Sequence, residues 1–367
     1  MRKVAVVAHG GLKANRLFSP EAGRDNSLER FRLLSESLRA HGYICGTLDT
    51  FPNASVDVLI CHDLHTELES LLRVIKANPK VRVVYIANEP SIISPMHHHS
   101  ILPELPVDAV LSWNDRIAGK HPKVVKCNYG EPCITVDSIP CIPYSDRKFI
   151  SCINSNKTSK SSNSLYAERL KAIEFFSNRP CGMGLYGRGW DVSGLPYVRT
   201  SYRGGCDRKI DVLQSYLFSI AFENVRGMCG LITEKILDCF AAGTVPIYYG
   251  SPNIGHYIPE SCYVDFGKFH DYEELYSYLN EMSEGEHRGY LDAARRFIES
   301  PAYHQFTSRR YVEVVMGQLH QLEARQRPNR SVWAVKRQII ALLLRCPTLF
   351  SEPRKFRRII LGLIKVI

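Results

Sequence analysis

The stretch F-E-N-V-R-G-M-C-G-L-I-T-E-K-I, residues 222–236, is the most informative in the chain. It leaves an apolar run, passes through a glycine-bearing loop and enters a helical pattern. A helix N-terminus offers unpaired N–H groups and a partial positive charge, a setting that suits phosphate. Lys235 in the first turn adds a cation, unfavourable for the helix dipole and favourable for a bound anion. Glu234 beside it is a carboxylate that can accept hydrogen bonds from a ribose diol, as an acidic residue does in dinucleotide sites. A plain capped helix accounts for the same letters: Thr233 as N-cap, Glu234 complementing the dipole, Lys235 solvated. A second carboxylate, Glu89 in Y-I-A-N-E-P-S, falls where Pro90 stops an apolar run. There it is a candidate general base, or else a surface loop acid. His97, His98 and His99 resemble a metal cluster by composition, but consecutive residues do not face one point. They read as acceptor-side or loop residues. None of the twelve cysteines forms a C-x-x-C pair, so no zinc ribbon is signalled.

These groups need a scaffold, and the pattern supplies one. Residues 3–8, 56–61, 81–87 and 109–113 read as strands, with helical spacings over 27–40 and 68–75 between them and Gly42 as a stop. The pattern restarts near residue 150. Strand-like runs at 149–153, 219–223, 245–249 and 263–266 alternate with helical patterns at 165–176, 234–242, 271–282 and 286–298. Such alternation predicts βαβ units and parallel sheets, hence two α/β halves in tandem with a ligand held in the cleft between them. The division is 1–147, 148–324 and a tail, 325–367. Residues 154–164 are polar, without an aliphatic side chain, and read by composition as a linker.

The chain has 367 residues and a formal charge of +10. Residues 325–367 carry eleven Lys and Arg against one acid, Glu352, which is the entire surplus. A neutral body argues against nucleic-acid binding. Within the tail, residues 353–367 place Phe356, Ile359, Ile360, Leu363 and Ile364 on one helical arc and Arg354, Lys355, Arg357, Arg358 and Lys365 on the other. A basic amphipathic helix reads as a membrane-surface element, and packing on the body or a partner is the alternative. The opening apolar run is too short for a signal-peptide core, and no run is long enough to span a bilayer. The cysteines read as small buried hydrophobes in a reducing compartment.

The string F-E-N…T-E-K-I-L-D…A-G-T-V-P-I-Y-Y-G-S-P, continuing to P-E-S-C-Y-V-D-F over residues 222–266, closely resembles the signature of the α-1,3/1,4-fucosyltransferase family of bacterial type, glycosyltransferase family 10. Weaker similarity extends through the second half and into parts of the first. The resemblance implies a GT-B fold, two Rossmann-like domains facing across a cleft, and inverting transfer of L-fucose from GDP-fucose to a glycan hydroxyl, with α-1,3-type linkage. By the same resemblance Glu234 matches the ribose-binding glutamate and Lys235 the diphosphate lysine. Asn224 and Glu223 lie in the donor-facing loop. Arg169 matches a phosphate-binding arginine after a Ser/Asn-rich loop, which recasts residues 154–164 as a donor-side loop. Glu89 matches the proposed base, and G-R-G-W at 187–190 resembles a turn in bacterial members. One position departs: the family often has a tyrosine where this chain has Leu231, so Tyr248, Tyr249 or a backbone amide would have to replace its hydrogen bond. D-x-D occurs nowhere, so Arg169, Lys235 and helix N–H groups must neutralise the leaving group, and neither a cofactor nor an essential divalent metal is expected. The partners implied are a nucleotide-sugar donor, a glycan acceptor and, through residues 331–367, the inner face of a membrane where lipid-linked glycans are built. Oligomeric state stays open. So do a GT-B transferase for another nucleotide sugar and a catalytically weak glycan- or nucleotide-binding protein.

Overall fold

The computed structural model describes residues 1–63, 68–105 and 107–325. The amphipathic tail expected at 331–367 lies outside the described residues. The described chain divides into two compact units, Met1–Pro132 together with the described residues from Phe306, and Cys133–Gln305.

The first unit runs β1 (Lys3–Val6), α1 (Glu29–Ala40), β2 (Ile44–Thr47), β3 (Val58–His62), α2 (Leu68–Ala77), β4 (Arg82–Ala87), β5 (Ala109–Ser112) and β6 (Val124–Lys126). The strands form one sheet in the order β2-β1-β3-β4-β5-β6, and every pair is parallel. Successive side chains of a strand point to opposite faces, so a sheet covered on both faces needs unbroken apolar strands. Val83, Tyr85 and Ala87 of β4 accordingly pack with Leu71, Val74 and Ile75 of α2, while Val84 and Ile86 join Phe31, Leu34 and Leu38 of α1 on the other face. Gly42, at φ +79°, closes α1 as the spacing predicts.

The second unit runs β7 (Lys148–Ile153), α3 (Tyr166–Ser177), β8 (Gly184–Tyr186), α4 (Pro196–Ser201), α5 (Lys209–Leu213), β9 (Tyr216–Phe222), α6 (Glu234–Ala241), β10 (Val245–Tyr249), β11 (Val264–Asp265), α7 (Tyr272–Glu281) and α8 (Glu284–Glu299). Its sheet is β11-β10-β9-β7-β8, again wholly parallel. β9 is buried along all seven residues, Y-L-F-S-I-A-F. In this sheet the strand order reverses beside β7, because β8 lies on one side of it and β9 on the other. In the first sheet it reverses beside β1, between β2 and β3. Ligands of open parallel sheets bind beyond the carboxyl ends of strands at such reversal points.

The last described helix, α9 (Ser308–Ala324), revises the division read from sequence. Its Tyr311, Val315 and Leu319 belong to the core of the first unit, beside α1. Gly130, at φ +72°, makes the seat: a Cβ there would stand 2.5 Å from Tyr311 Cβ. The second unit therefore begins at Cys133 and ends at Gln305, and the chain returns to the first. Residues 154–164 join β7 to α3 within one unit, so they are a loop at the carboxyl edge of the sheet and not an interdomain linker. Among the described residues no helix is long and apolar enough to cross a membrane. Cys45, Cys127, Cys152, Cys239 and Cys262 are buried free thiols, while Cys141 and Cys181 are exposed.

Candidate functional site

The carboxyl ends of β7, β9 and β10 gather the second-unit residues singled out above. After β9 the chain enters Glu223 and Asn224; after β10 it enters Gly250 and Ser251; α6 starts at Glu234. The loop is tied down by backbone. Glu223 N–H donates to Tyr249 O at 2.9 Å, Gly227 N–H to Gly250 O at 3.2 Å, and Leu165 N–H to Asn224 O at 3.1 Å.

Glu223, expected on the donor side, follows β9 at this edge. It is fully buried, and its two carboxylate oxygens accept from Thr233 N–H and Thr233 Oγ1–H, each at 2.8 Å. It therefore holds the start of α6. Burial pushes its pKa up, and the ammonium of Lys235, 3.6 Å away, opposes that rise. Gly250 allows the carboxylate in, since a Cβ there would meet Glu223 Cγ at 2.5 Å. The Thr233 hydroxyl donates to Glu223 and accepts from no backbone amide of the first turn of α6.

Lys235 and Glu234 follow on that half-buried turn. Lys235 Nζ lies 3.0 Å from Thr233 Oγ1 and 3.3 Å from Glu234 Oε1. Burial alone would lower the Lys235 pKa, but the carboxylates of Glu234 and Glu223 reverse it and the net direction is up. For Glu234 burial acts upward, and the two ammoniums of Lys235 and Lys209 overcome it, so its pKa falls. The Glu234 side chain keeps 33% of its surface open, enough to meet a ligand. Lys209 is a participant the sequence reading passed over. From α5 it reaches Asp238 at 2.6 Å and Glu234 at 3.8 Å. No local pattern connects positions so far apart in the chain.

Arg169 sits in the first turn of α3, buried, with its guanidinium across the end of β9. Its Nη2 donates to Phe222 O at 2.5 Å and to Asn224 Oδ1 at 3.0 Å, while its buried Nε has no hydrogen-bond partner. Burial lowers its pKa. Tyr249 is partly exposed; its hydroxyl accepts from Arg226 Nη1 at 3.3 Å. Tyr248 cannot replace the hydrogen bond missing at Leu231. It is buried, donates to Leu231 O at 3.3 Å and accepts from Ser251 N–H at 3.0 Å. The side chain of Leu231 is itself buried.

The polar loop is held against the 187–190 turn. Asn156 N–H donates to Arg188 O at 2.9 Å, Asn156 Nδ2 to Gly189 O at 2.9 Å, and Trp190 Nε1 to Asn154 O at 2.5 Å. At its far end Arg226 N–H donates to Asn163 O at 2.9 Å.

In the first unit Glu89 follows β4 at the carboxyl edge, partly buried, as the Pro90 signal predicts. Asp63 follows β3 at the same edge and in a left-handed conformation, φ +45°. Its Oδ1 accepts from Asn88 N–H at 2.9 Å and Glu89 N–H at 3.1 Å. The strand-end rule that finds Glu89 would also have found Asp63. The three histidines diverge. His97 is buried against Tyr85 and Glu89 O, whereas His98 turns to Ser100 at 2.8 Å and its ring lies 4.2 Å from that of His99, tilted by 36°.

Comparison with known proteins follows the same residues. The family model for the C-terminal part of glycosyltransferase family 10 (fucosyltransferase) matches residues 146–329. An α-(1,3)-fucosyltransferase of Helicobacter pylori is 29% identical over 146 residues, 40% of this chain and 27% of that protein. An α-(1,4)-fucosyltransferase of Arabidopsis thaliana is 31% identical over 72 residues, 20% of this chain and 18% of that protein. The chain thus matches about a quarter or less of the length of these curated relatives. A crystal structure of an α1,3-fucosyltransferase with GDP-fucose superposes with a TM-score of 0.51 at 14% identity, over 86% of this chain and 89% of that one. An Anabaena protein in complex with UDP and glucose gives 0.53 at 9% identity, over 88% of this chain and 100% of that one. At such identities the likeness is one of fold, the α/β fold of GT-B fucosyltransferase structures.

Proposed function

The chain belongs to glycosyltransferase family 10, the fucosyltransferases, and from that premise we propose that it moves L-fucose from GDP-fucose to a hydroxyl of a glycan, with inversion and an α-1,3-type linkage. The observation that carries the reading is the first turn of α6, where Lys235 and a partly open Glu234 meet at the strand-order reversal of the second sheet. The Glu234 carboxylate accepts from the guanosine ribose diol. Lys235, Arg169 and the α6 amides take the diphosphate, with Asn224 and Tyr249 beside them. Glu223 acts through Thr233 by holding that turn. Glu89 removes the proton of the acceptor hydroxyl as its oxygen bonds to the anomeric carbon. The bond from that carbon to the diphosphate breaks, and its electron pair leaves on GDP. A positioned base contributes roughly 10²–10⁴-fold, and fixed cations stabilise the departing phosphate. The chemistry asks for no divalent metal.

The test is GDP release and product mass from GDP-fucose with an oligosaccharide pool. Glu89→Gln is expected to keep GDP affinity and to lose about 10²–10⁴-fold in kcat. Full turnover in that variant overturns the assignment of the base. Leu231 favours one second reading, a different nucleotide sugar, and a donor panel that prefers another sugar would support it.

We further propose that residues 331–367 attach the protein to an anionic membrane surface, the support being their basic and apolar composition. Each Lys or Arg near such a leaflet contributes about 1 kcal/mol. Removing residues 331–367 should release the protein from phosphatidylserine-containing vesicles in a sedimentation assay, and unchanged binding refutes the idea.

A further inference from the structure

Two residues after β4 have every backbone polar group engaged by a side chain. Asp63 takes both N–H groups, of Asn88 and of Glu89. The Asn88 carbonyl accepts from Trp113 Nε1 at 2.6 Å and from the Tyr129 hydroxyl. The Glu89 carbonyl accepts from His97 Nδ1 at 2.6 Å. Pro90, next in line, has no N–H to place. Loop backbone ordinarily finds such partners in water or in its own turn. Here four side chains from separate segments hold the backbone that carries Glu89.

His97 is the member whose chemistry is most constrained. It is 4% exposed, and Tyr85 is fully buried. A carbonyl oxygen only accepts, so Nδ1 must carry the proton. In the neutral ring Nε2 then offers a lone pair, and the Tyr85 hydroxyl donates to it. Asp63 Oδ1 lies 3.7 Å from the same Nε2, so one carboxylate borders both the ring and the two amides. The single turn Pro95–His97 delivers the imidazole, closed by Ser94 N–H donating to Pro90 O at 3.0 Å and His97 N–H to Ser94 O at 2.9 Å.

We propose that His97 is a positioning residue for Glu89, acting through its Nδ1–H on the Glu89 carbonyl. The inference rests on the reading of Glu89 as the general base. Proton abstraction from a bound hydroxyl depends steeply on placement, and a displacement of about 1 Å costs on the order of 10²-fold.

The experiment compares His97→Asn, His97→Gln and His97→Phe in the full chain, with Glu89→Gln alongside. The probe is GDP release from GDP-fucose, with the oligosaccharide pool and with water alone as acceptor. An asparagine amide reaches the place of Nδ1, whereas a glutamine amide reaches that of Nε2. The expected order is a loss of about 10²-fold in kcat for Phe and Gln and substantial recovery for Asn, with the KM for GDP-fucose unchanged in all three. Thermal melts separate this from misfolding, since a merely structural role would track melting temperature and treat Asn and Gln alike. Equal kcat in Asn and Gln, or no loss in Phe while Glu89→Gln loses turnover, overturns the role of His97 alone. Retained turnover in Glu89→Gln, or no GDP release by the unaltered chain, overturns the parent reading and this inference with it.

Discussion

At the scale of single residues the donor half is organised around one fully buried carboxylate. Glu223 is held by Thr233 and faces Lys235 at 3.6 Å. Lys235 thus neutralises Glu223, and the proposed function gives it a second task at the donor diphosphate. Lys235→Ala should weaken GDP binding in calorimetry and also destabilise the fold, because it leaves a buried charge alone; such losses run about 3–5 kcal/mol. The pH dependence has a definite sign. Burial raises the folded-state pKa of Glu223 above its unfolded value, and removing Lys235 raises it further. The penalty for the bare charge is absent below the unfolded pKa and complete above the folded one. The destabilisation, read from urea midpoints, should therefore be smaller at acid pH than at pH 8. A difference independent of pH would mean that Glu223 is not the group left exposed to the loss. Letters alone identified Glu234 and Lys235 as a pair. That Glu223 is a support beneath them followed from its burial.

At the scale of elements, the loops at the carboxyl edge of the second sheet are braced against one another. Residues 154–164 rest on the 187–190 turn at one end and on the loop after β9 at the other. Gly187 is the keystone, at φ +131°, where a Cβ would stand 2.1 Å from the Asn154 carbonyl oxygen. Gly187→Ala should cost well over about 1 kcal/mol, since neither the conformation nor the space admits a side chain. It should also lower GDP affinity by loosening the segment that leads to Arg169. Urea denaturation and calorimetry together test this, and intact binding with reduced stability would confine the turn to a structural role. The long strands and amphipathic helices were legible because period two and period 3.6 survive in the letters. β2, β6 and β8 were not. Each is three or four residues long, I-C-G-T, V-V-K and G-L-Y, and none lies in an apolar run as long as those around β1 and β5. The polar loop was misjudged by composition because its order comes from hydrogen bonds to a turn distant in sequence.

At the scale of the whole molecule, the chain leaves its first unit at Pro132 and rejoins it at Phe306. α9 supplies Tyr311, Val315, Leu319 and Leu322 to the face that α1 also covers. Tyr43 OH donates to Glu323 at 2.8 Å, anchoring the far end. A chain stopped after residue 305 should lose the folded first unit, whereas one stopped after residue 325 should keep it. Thermal unfolding followed by circular dichroism separates the two. Loss of structure limited to the second unit would contradict the assignment.

The sequence by itself determined the fold class, because parallel sheets covered on both faces impose continuous apolar strands that show in the order of residues. It also determined the family, and the six second-unit positions Arg169, Glu223, Asn224, Glu234, Lys235 and Tyr249 that the structure gathers at one sheet edge. Tertiary structure decided which of these are buried supports, as Glu223 is, and which keep open surface, as Glu234 does. It decided that α9 belongs to the first unit, and that Asp63 and His97 frame Glu89. Those outcomes depend on contacts between residues far apart in the chain, and burial and hydrogen bonding across such distances leave no periodic trace in a sequence.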